Sequence, residues 1–215
     1  MESFVKAFKD TLKSPEDGIV SLRTEAFEEF SKTGVPNSRH EYWKFSDPSV
    51  ILNLDLKLND SLENIDEDYD LILCNGKISK NKIKGRTGSI SEGIKRGDIS
   101  EKVLEISENP FINLNSAFAI NGCYINLEKN STNNLKILNL ITNNEEIEQA
   151  VYPKLIIVAE ENSNSTILEE FRISGKGTNF VNSAMNIFMA QGANLEHIIL
   201  DDYADDTYHI ANIGV

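Results

Sequence analysis

From residue 151 onwards the chain offers five strand candidates in succession, with no helix-period run between them. They are 151–159, 166–173, 179–190, 194–201 and 207–215, each rich in Ile, Val, Phe, Tyr and Leu. Alternation is visible within them: Val181, Met185, Ile187 and Met189 fall on one face, Asn182, Ala184 and Asn186 on the other. Ile167, Glu169 and Phe171 superpose on Leu195, His197 and Ile199 at an offset of 28 residues (197 − 169), within the roughly 20–50-residue period of solenoids. The connections Ser174-Gly175-Lys176-Gly177 and Gln191-Gly192-Ala193-Asn194 lack the paired turn residues of sandwich hairpins and place small residues where stacked turns must approach closely. This pattern predicts a β-helix-like stack, in which each turn buries its inner face only when a neighbouring turn covers it.

The N-terminal part reads differently. Phe4, Phe8 and Leu12 recur every four residues, one apolar stripe of a short helix ending near Lys13. Ser14, Pro15 and Asp17 suit the start of a second helix whose buried face is Ile19, Leu22, Ala26, Phe27 and Phe30; Gly34 and Pro36 stop it. Asp70–Cys74 leads into Asn75-Gly76, a tight-turn signal for a β-hairpin. Residues 89–107 return to a helical pattern weakened at Gly97, with Asn109-Pro110 expected to close it. The expected fold class is α+β: a helical subdomain over 1–50, a mixed α/β connecting region over 51–110, and the first turns of a truncated β-helix core over 111–215.

The chemistry implied by residue types is sparse. A net charge of −13 repels phosphate backbones, and no basic stripe offsets it, so nucleic-acid binding is not expected. No apolar run is long enough to span a bilayer, and the N-terminus MESFVKAFKD is no secretory signal, which points to the cytoplasm. Asn59, Asn130 and Asn164 open glycosylation triplets that have no meaning in that setting. Cys74 and Cys123 lack metal-ligand spacing and read as buried reduced thiols. Gly175-Lys176-Gly177-Thr178 lacks the spacing of a phosphate loop, and Arg96-Gly97-Asp98 falls inside a helical pattern. His40, His197 and His209 are far apart, although stacking could set the last two on neighbouring strands. The acidic run over Asp201, Asp202, Asp205 and Asp206 lacks calcium-loop spacing and reads as a solvated corner. No Ser/His/Asp set, nucleophile elbow or Cys/His dyad can be assembled, so the expected protein is not an enzyme and has no catalytic, cofactor or metal residues.

The segment Gly34-x-Pro36-x-x-Arg39-x-Glu41-x-Trp43-Lys44-Phe45-Ser46-Asp47 resembles an N-terminal signature of the SufB/SufD family, in its SufD branch. The order continues in step: Asp70–Gly76 is similar to the family's hydrophobic run and Asn-Gly turn, and Leu114-Asn115-Ser116-Ala117-Phe118 followed by Gly122 to its next element. Pro153–Val158, Ser165-x-Ile167-x-Glu169, Asn182 and Ala193-x-Leu195-x-His197 look like its opening β-helix turns. Trp43, between turns fixed by Pro36 and Pro48, is expected to anchor the helical hairpin against the later strands, with Arg39, Glu41 and Lys44 pairing around it.

The resemblance implies a scaffold subunit of the SUF iron–sulfur cluster assembly system. Such a subunit pairs with a SufB-like sister and a SufC-like ABC-type ATPase; the cluster is assembled by the complex, and ATP sits on the ATPase. It also implies that the docking helices and the family's functionally implicated histidine lie beyond Val215, so that this chain is the N-terminal portion of a longer protein. The alternative class is a carbohydrate-binding or carbohydrate-cleaving solenoid, which requires paired carboxylates and aromatics on adjacent strands.

Overall fold

Phe4 and Phe8, one helical turn apart, are the buried stripe of α1 (Glu2–Thr11) in the computed structural model of the protein, which describes residues 1–12, 19–118, 122–144, 147–203 and 206–215. Leu12, expected to extend the stripe, caps the helix and is 37% exposed. Thr11 takes the inward position, donating to the Phe8 carbonyl and accepting from Arg23 Nη2 at 2.7 Å. Arg23 belongs to α2 (Val20–Thr33), beside the expected Ala26, Phe27 and Phe30. The proposed start at Ser14, Pro15 and Asp17 lies outside the described residues. Gly34 ends α2 as expected, with φ 69° and its N–H on the Phe30 carbonyl.

Two 3-10 turns (Glu41–Trp43, Pro48–Asn53) lead to β1 (Lys57–Leu58), then β2 (Leu71–Cys74) and β3 (Lys77–Asn81). The last two form the expected antiparallel hairpin, and Asn75 and Gly76 at its turn both have positive φ, 49° and 81°. After β4 (Thr87–Ser89), the helix expected over 89–107 is only α3 (Ile90–Arg96) and a 3-10 turn, Glu101–Leu104. Gly97 adopts the left-handed conformation and ends α3.

Asn109-Pro110 does not close a helix but opens one, α4 (Pro110–Phe118): Asn109 Oδ1 accepts from the Phe111 N–H at 3.0 Å, and Pro110 holds the first helical position. Strand structure was expected from Phe111. Residues 113–118 and Phe111 are all buried, so α4 carries no polar–apolar period, and its Asn and Ser residues are poor helix formers.

The remaining strands are β5 (Cys123–Leu127), β6 (Thr132–Asn143), β7 (Gln149–Val151), β8 (Lys154–Ala159), β9 (Asn164–Gly175), β10 (Asn179–Met189), β11 (Asn194–Asp202) and β12 (Thr207–Gly214). Among the described residues they share two sheets. One runs β1-β7-β10-β8-β5-β4, with β12 also on β10; the other runs β11-β9-β6-β2-β3. The chain visits the two sheets in turn, and successive strands of each pair in parallel: β5 with β8, β8 with β10 and β10 with β12 in the first, β6 with β9 and β9 with β11 in the second.

The offset between β9 and β11 is 30 rather than 28: Glu169 lies opposite Ile199 and His197 opposite Ile167. A two-residue change preserves which side chains face inward, so the matched pattern survived while the register slipped. Leu155, Ile157, Met185 and Ile187 of the first sheet pack against Leu71, Leu73, Ile137 and Ile167 of the second. Met189, expected on the same face, is 42% exposed.

The corner after β9 shows why a small residue is needed. Gly175 has φ 101°, and a Cβ there would stand 2.3 Å from the Asn143 carbonyl oxygen of the previous turn. Gly175→Ala is therefore expected to destabilise the protein by about 2–4 kcal/mol through backbone strain and overpacking. Gly34→Ala, at φ 69° and ψ −174° but with nothing within 4 Å, meets the backbone strain without the overpacking and should cost less, about 1–2 kcal/mol. Urea midpoints at unchanged slope measure both; equal costs would refute the stacking argument.

Candidate functional site

The inward rows of β6, β9 and β11 begin apolar, with Leu135, Ile167 and Leu195, and then turn polar. Glu169, 4% exposed, accepts from Asn139 Nδ2 at 2.7 Å and meets His197 Nε2 at 2.9 Å. One layer further along lie Phe171, Asp201 and Tyr203, faced across the gap by Ser183 of β10 and His209 of β12. Asn139, Glu169, Phe171, Asp201, Ser183 and His209 border a pocket of about 70 Å³ between the two sheets, whose apolar wall includes Leu155, Met185 and Ile213.

His197 and His209 therefore do not sit on neighbouring strands: they belong to opposite sheets. The structure does bring together a Ser, a His and an Asp that sequence reasoning could not assemble. Ser183 Oγ lies 2.8 Å from His209 Nε2, and Asp201 Oδ1 lies 4.0 Å from Nδ1. The Tyr203 hydroxyl occupies Nδ1, so the carboxylate does not orient the ring. Burial holds the His209 pKa below its ordinary value, against the pull of Asp201, and burial pushes Tyr203 up. With both neutral, Tyr203 donating to Nδ1 and Nε2–H donating to Ser183 satisfies the three groups. Ser183 lies mid-strand, where backbone N–H groups are spent on neighbouring strands, as Ala184 N–H is on the Pro153 carbonyl. The cluster thus offers no oxyanion donors of the kind acyl transfer uses.

The signature residues have structural tasks. Trp43 is half-buried and packs edge-on against Phe111 of α4, centroids 5.3 Å apart, at the border of the core cluster that joins the helices to Ala150 and Phe180 of the strands. Its neighbours Tyr42 and Phe45 are 89% and 93% exposed. Around it, Arg39, Glu41 and Lys44 form no ion pair among the described residues; Arg39 N–H donates to Asn37, and the Lys44 ammonium lies 5.5 Å from the Phe45 ring centroid. Pro36 is half-buried, while Pro48 is buried and opens its 3-10 turn.

Leu114 lies in the core with Phe4 and Phe30. Asn115 Nδ2 donates to the carbonyls of Pro153 and Asn182, at 2.9 and 2.7 Å, and so ties α4 to the link before β8 and to β10. Gly122 lets the chain cross closely: a Cβ there would lie 2.5 Å from Ile90 Cδ1 and 3.0 Å from Lys154 Cβ. Sequence reasoning missed Lys154. Its buried ammonium reaches Ser116 Oγ at 3.2 Å and Asn115 Oδ1 at 3.4 Å, and burial lowers its pKa to about 8. An ordinary Lys-Leu step in a strand gives no sign of it.

Cys74 and Cys123 are buried and free. Burial pushes both thiols up, Cys123 to about 12, which disfavours the thiolate that metal ligation needs. Asp201 and Asp202 end β11 and Asp206 precedes β12, whereas Asp205 lies outside the described residues. No three His, Cys, Asp or Glu side chains gather into a metal site among the described residues. Gly175 to Thr178 is a corner between two strands, not a strand-to-helix loop, and Arg96-Gly97-Asp98 straddles the end of α3. No described helix is long and apolar enough to cross a membrane.

Residues 113–215, just under half of the chain, match a family model described as "SUF system FeS cluster assembly, SufBD core domain". Searches of the curated proteins and of the solved structures found no match.

Two outcomes follow for the α4 seam. Asn115→Ala, which removes one hydrogen bond from each of two buried carbonyls, should cost about 2–3 kcal/mol; Trp43→Ala should cost about 2 kcal/mol, roughly half the value for a fully buried aromatic. Chemical denaturation ranks them, and the reverse order would show that Asn115 is no clamp. The folded pKa of Lys154 lies below its ordinary 10.5, so the unfolded state binds more protons between about pH 8 and 10.5. Stability attributable to this residue rises with pH across that window, by about 3 kcal/mol, and the penalty is full below it. Lys154→Met should therefore be more stable than the parent at pH 7, the gap narrowing as pH rises from 8 to 10; a pH-independent gap would refute the buried-charge account.

Proposed function

We propose that the chain is a SufD-like, non-catalytic scaffold subunit of SUF iron–sulfur cluster assembly, built as an N-terminal helical subdomain, a connecting region and a β-solenoid core. The observation that carries this reading is a coincidence of range. The stretch matching the SufBD core domain, 113–215, is the stretch in which strands alternate between two sheets and stack in parallel turn upon turn. Its first matched residue lies within α4, the helix clamped onto that stack.

The assignment to the SufD branch rests on the signature from Gly34 to Asp47, which lies outside the matched stretch. A scaffold role accords with the pairing of Ser183, His209 and Asp201, which lacks an oriented base and oxyanion donors. In this reading the partners are a SufB-like sister subunit and a SufC-like ATPase, the cluster is the product of the assembly rather than a cofactor of this chain, and the setting is the cytoplasm. No observation favours the carbohydrate reading: Glu169 faces His197 and Asn139 rather than a second carboxylate.

Co-expression of the tagged chain with a SufB-like subunit and a SufC-like ATPase tests the reading. The sister subunit should co-purify in stoichiometric amount, and the ATPase alone should not be retained. Recovery of the tagged chain free of the sister subunit, or stoichiometric capture of the ATPase by the chain alone, would overturn it.

A further inference from the structure

The pocket between the two sheets has a chemistry that the scaffold reading does not use. Asn139 lines it and is 1% exposed, yet its Oδ1 has no hydrogen-bond partner among the described residues, while its Nδ2 is committed to Glu169. An orphaned acceptor at that depth calls for a donor. The carboxylates of Glu169 and Asp201 add further acceptors to the wall, and Ser183 and His209 bond one another; against these stands Asn212, whose Oδ1 accepts from Asn109 and whose Nδ2 is a donor without a partner among the described residues.

Among the described residues no lysine or arginine side chain balances the carboxylates from within. Lys154 borders the pocket through its strand, but its ammonium turns to Asn115 and Ser116 on the α4 side, while the adjacent Leu155 faces the interior. His197 contacts Glu169, and His209 is shared between Ser183 and Tyr203. Apart from Asn212 the rest of the wall is apolar, with the Phe171 ring at the same level as His209, centroids 4.9 Å apart. A divalent metal finds no three converging ligands among the described residues, whereas hydrogen-bond acceptors beside an aromatic ring suit an ammonium group.

We propose that this pocket binds a small cation of the ammonium class, a protonated primary amine, that donates to Asn139 Oδ1, Glu169 and Asp201 with Phe171 as its apolar wall. A volume of about 70 Å³ holds roughly five water-sized probes, which limits the ligand to about four or five heavy atoms. Asp201, whose side chain is about half exposed, stands at the mouth.

The test is an NMR titration of the whole chain with methylammonium chloride against sodium chloride at equal ionic strength, followed at the Asn139 side-chain amide and the Ser183 and His209 backbone amides. Saturable shifts are expected for methylammonium only, with a midpoint on the order of millimolar for so small a ligand. Asn139→Leu should abolish the response and Asp201→Asn should weaken it about tenfold. If Asn139→Leu fails to fold, Asp201→Asn, at a half-exposed position, decides by itself. An equal response to sodium, saturation by manganese(II) in place of methylammonium, or an unchanged midpoint in Asp201→Asn would each overturn the proposal. None of these results bears on co-purification with a SufB-like subunit.

Discussion

A parallel strand has no hairpin partner of its own making; its backbone groups are satisfied only by a strand that arrives a full turn later. From β5 onwards the protein is governed by that requirement. Each turn must leave one sheet, cross to the other and return in register, and the crossing must be thin enough for the next to lie on it. At Gly175 the clearance is so small that the carbonyl of Asn143 takes the place of a side chain. Asn130 and Asn162 adopt left-handed backbone at corresponding corners, and Gly192 does so at the one after.

The helices solve a different problem. One face of the first sheet needs a cover, and α4 supplies it with side chains that are more polar than a core helix usually carries. Asn115 and Asn182 exchange hydrogen bonds with backbone carbonyls across the seam, the latter donating to Phe111. Arg23 then fastens the hairpin of α1 and α2 to α4 through the Ala117 carbonyl, with its guanidinium 5.7 Å from the Phe8 ring centroid. Buried amides and a buried guanidinium specify one docking geometry where a greasy interface would allow several.

How far the sequence discloses this depends on whether a signal is local. The Asn75-Gly76 turn, the Gly34 stop and the strands after 150 were legible because turn chemistry and period-two alternation are written within a few residues. The helix α4 was not, because burial on every side erases its period. The register of β11 on β9 was misjudged by two residues, an error that alternation cannot detect, since Glu169 and His197 face inward either way. The Ser183, His209 and Asp201 cluster and the buried lysine under α4 were invisible for a simpler reason: they are made by elements dozens of residues apart, and nothing in their immediate neighbours marks them.

The turn lengths hold one further consequence. Cys123 pairs with Leu155, Lys154 with Ala184 and Asn179 with Thr207, at offsets of 32, 30 and 28, and the second sheet keeps step with Thr132 on Asn164 and Asn164 on Asn194, at 32 and 30. Successive coils thus shorten by an even number, which keeps inward positions inward at every step. Arrays built from identical modules can be lengthened by duplicating one. Here a copied coil would differ in length from a neighbour it had to pair with, so its corners would have to be reset by an even number of residues before the inward rows met again.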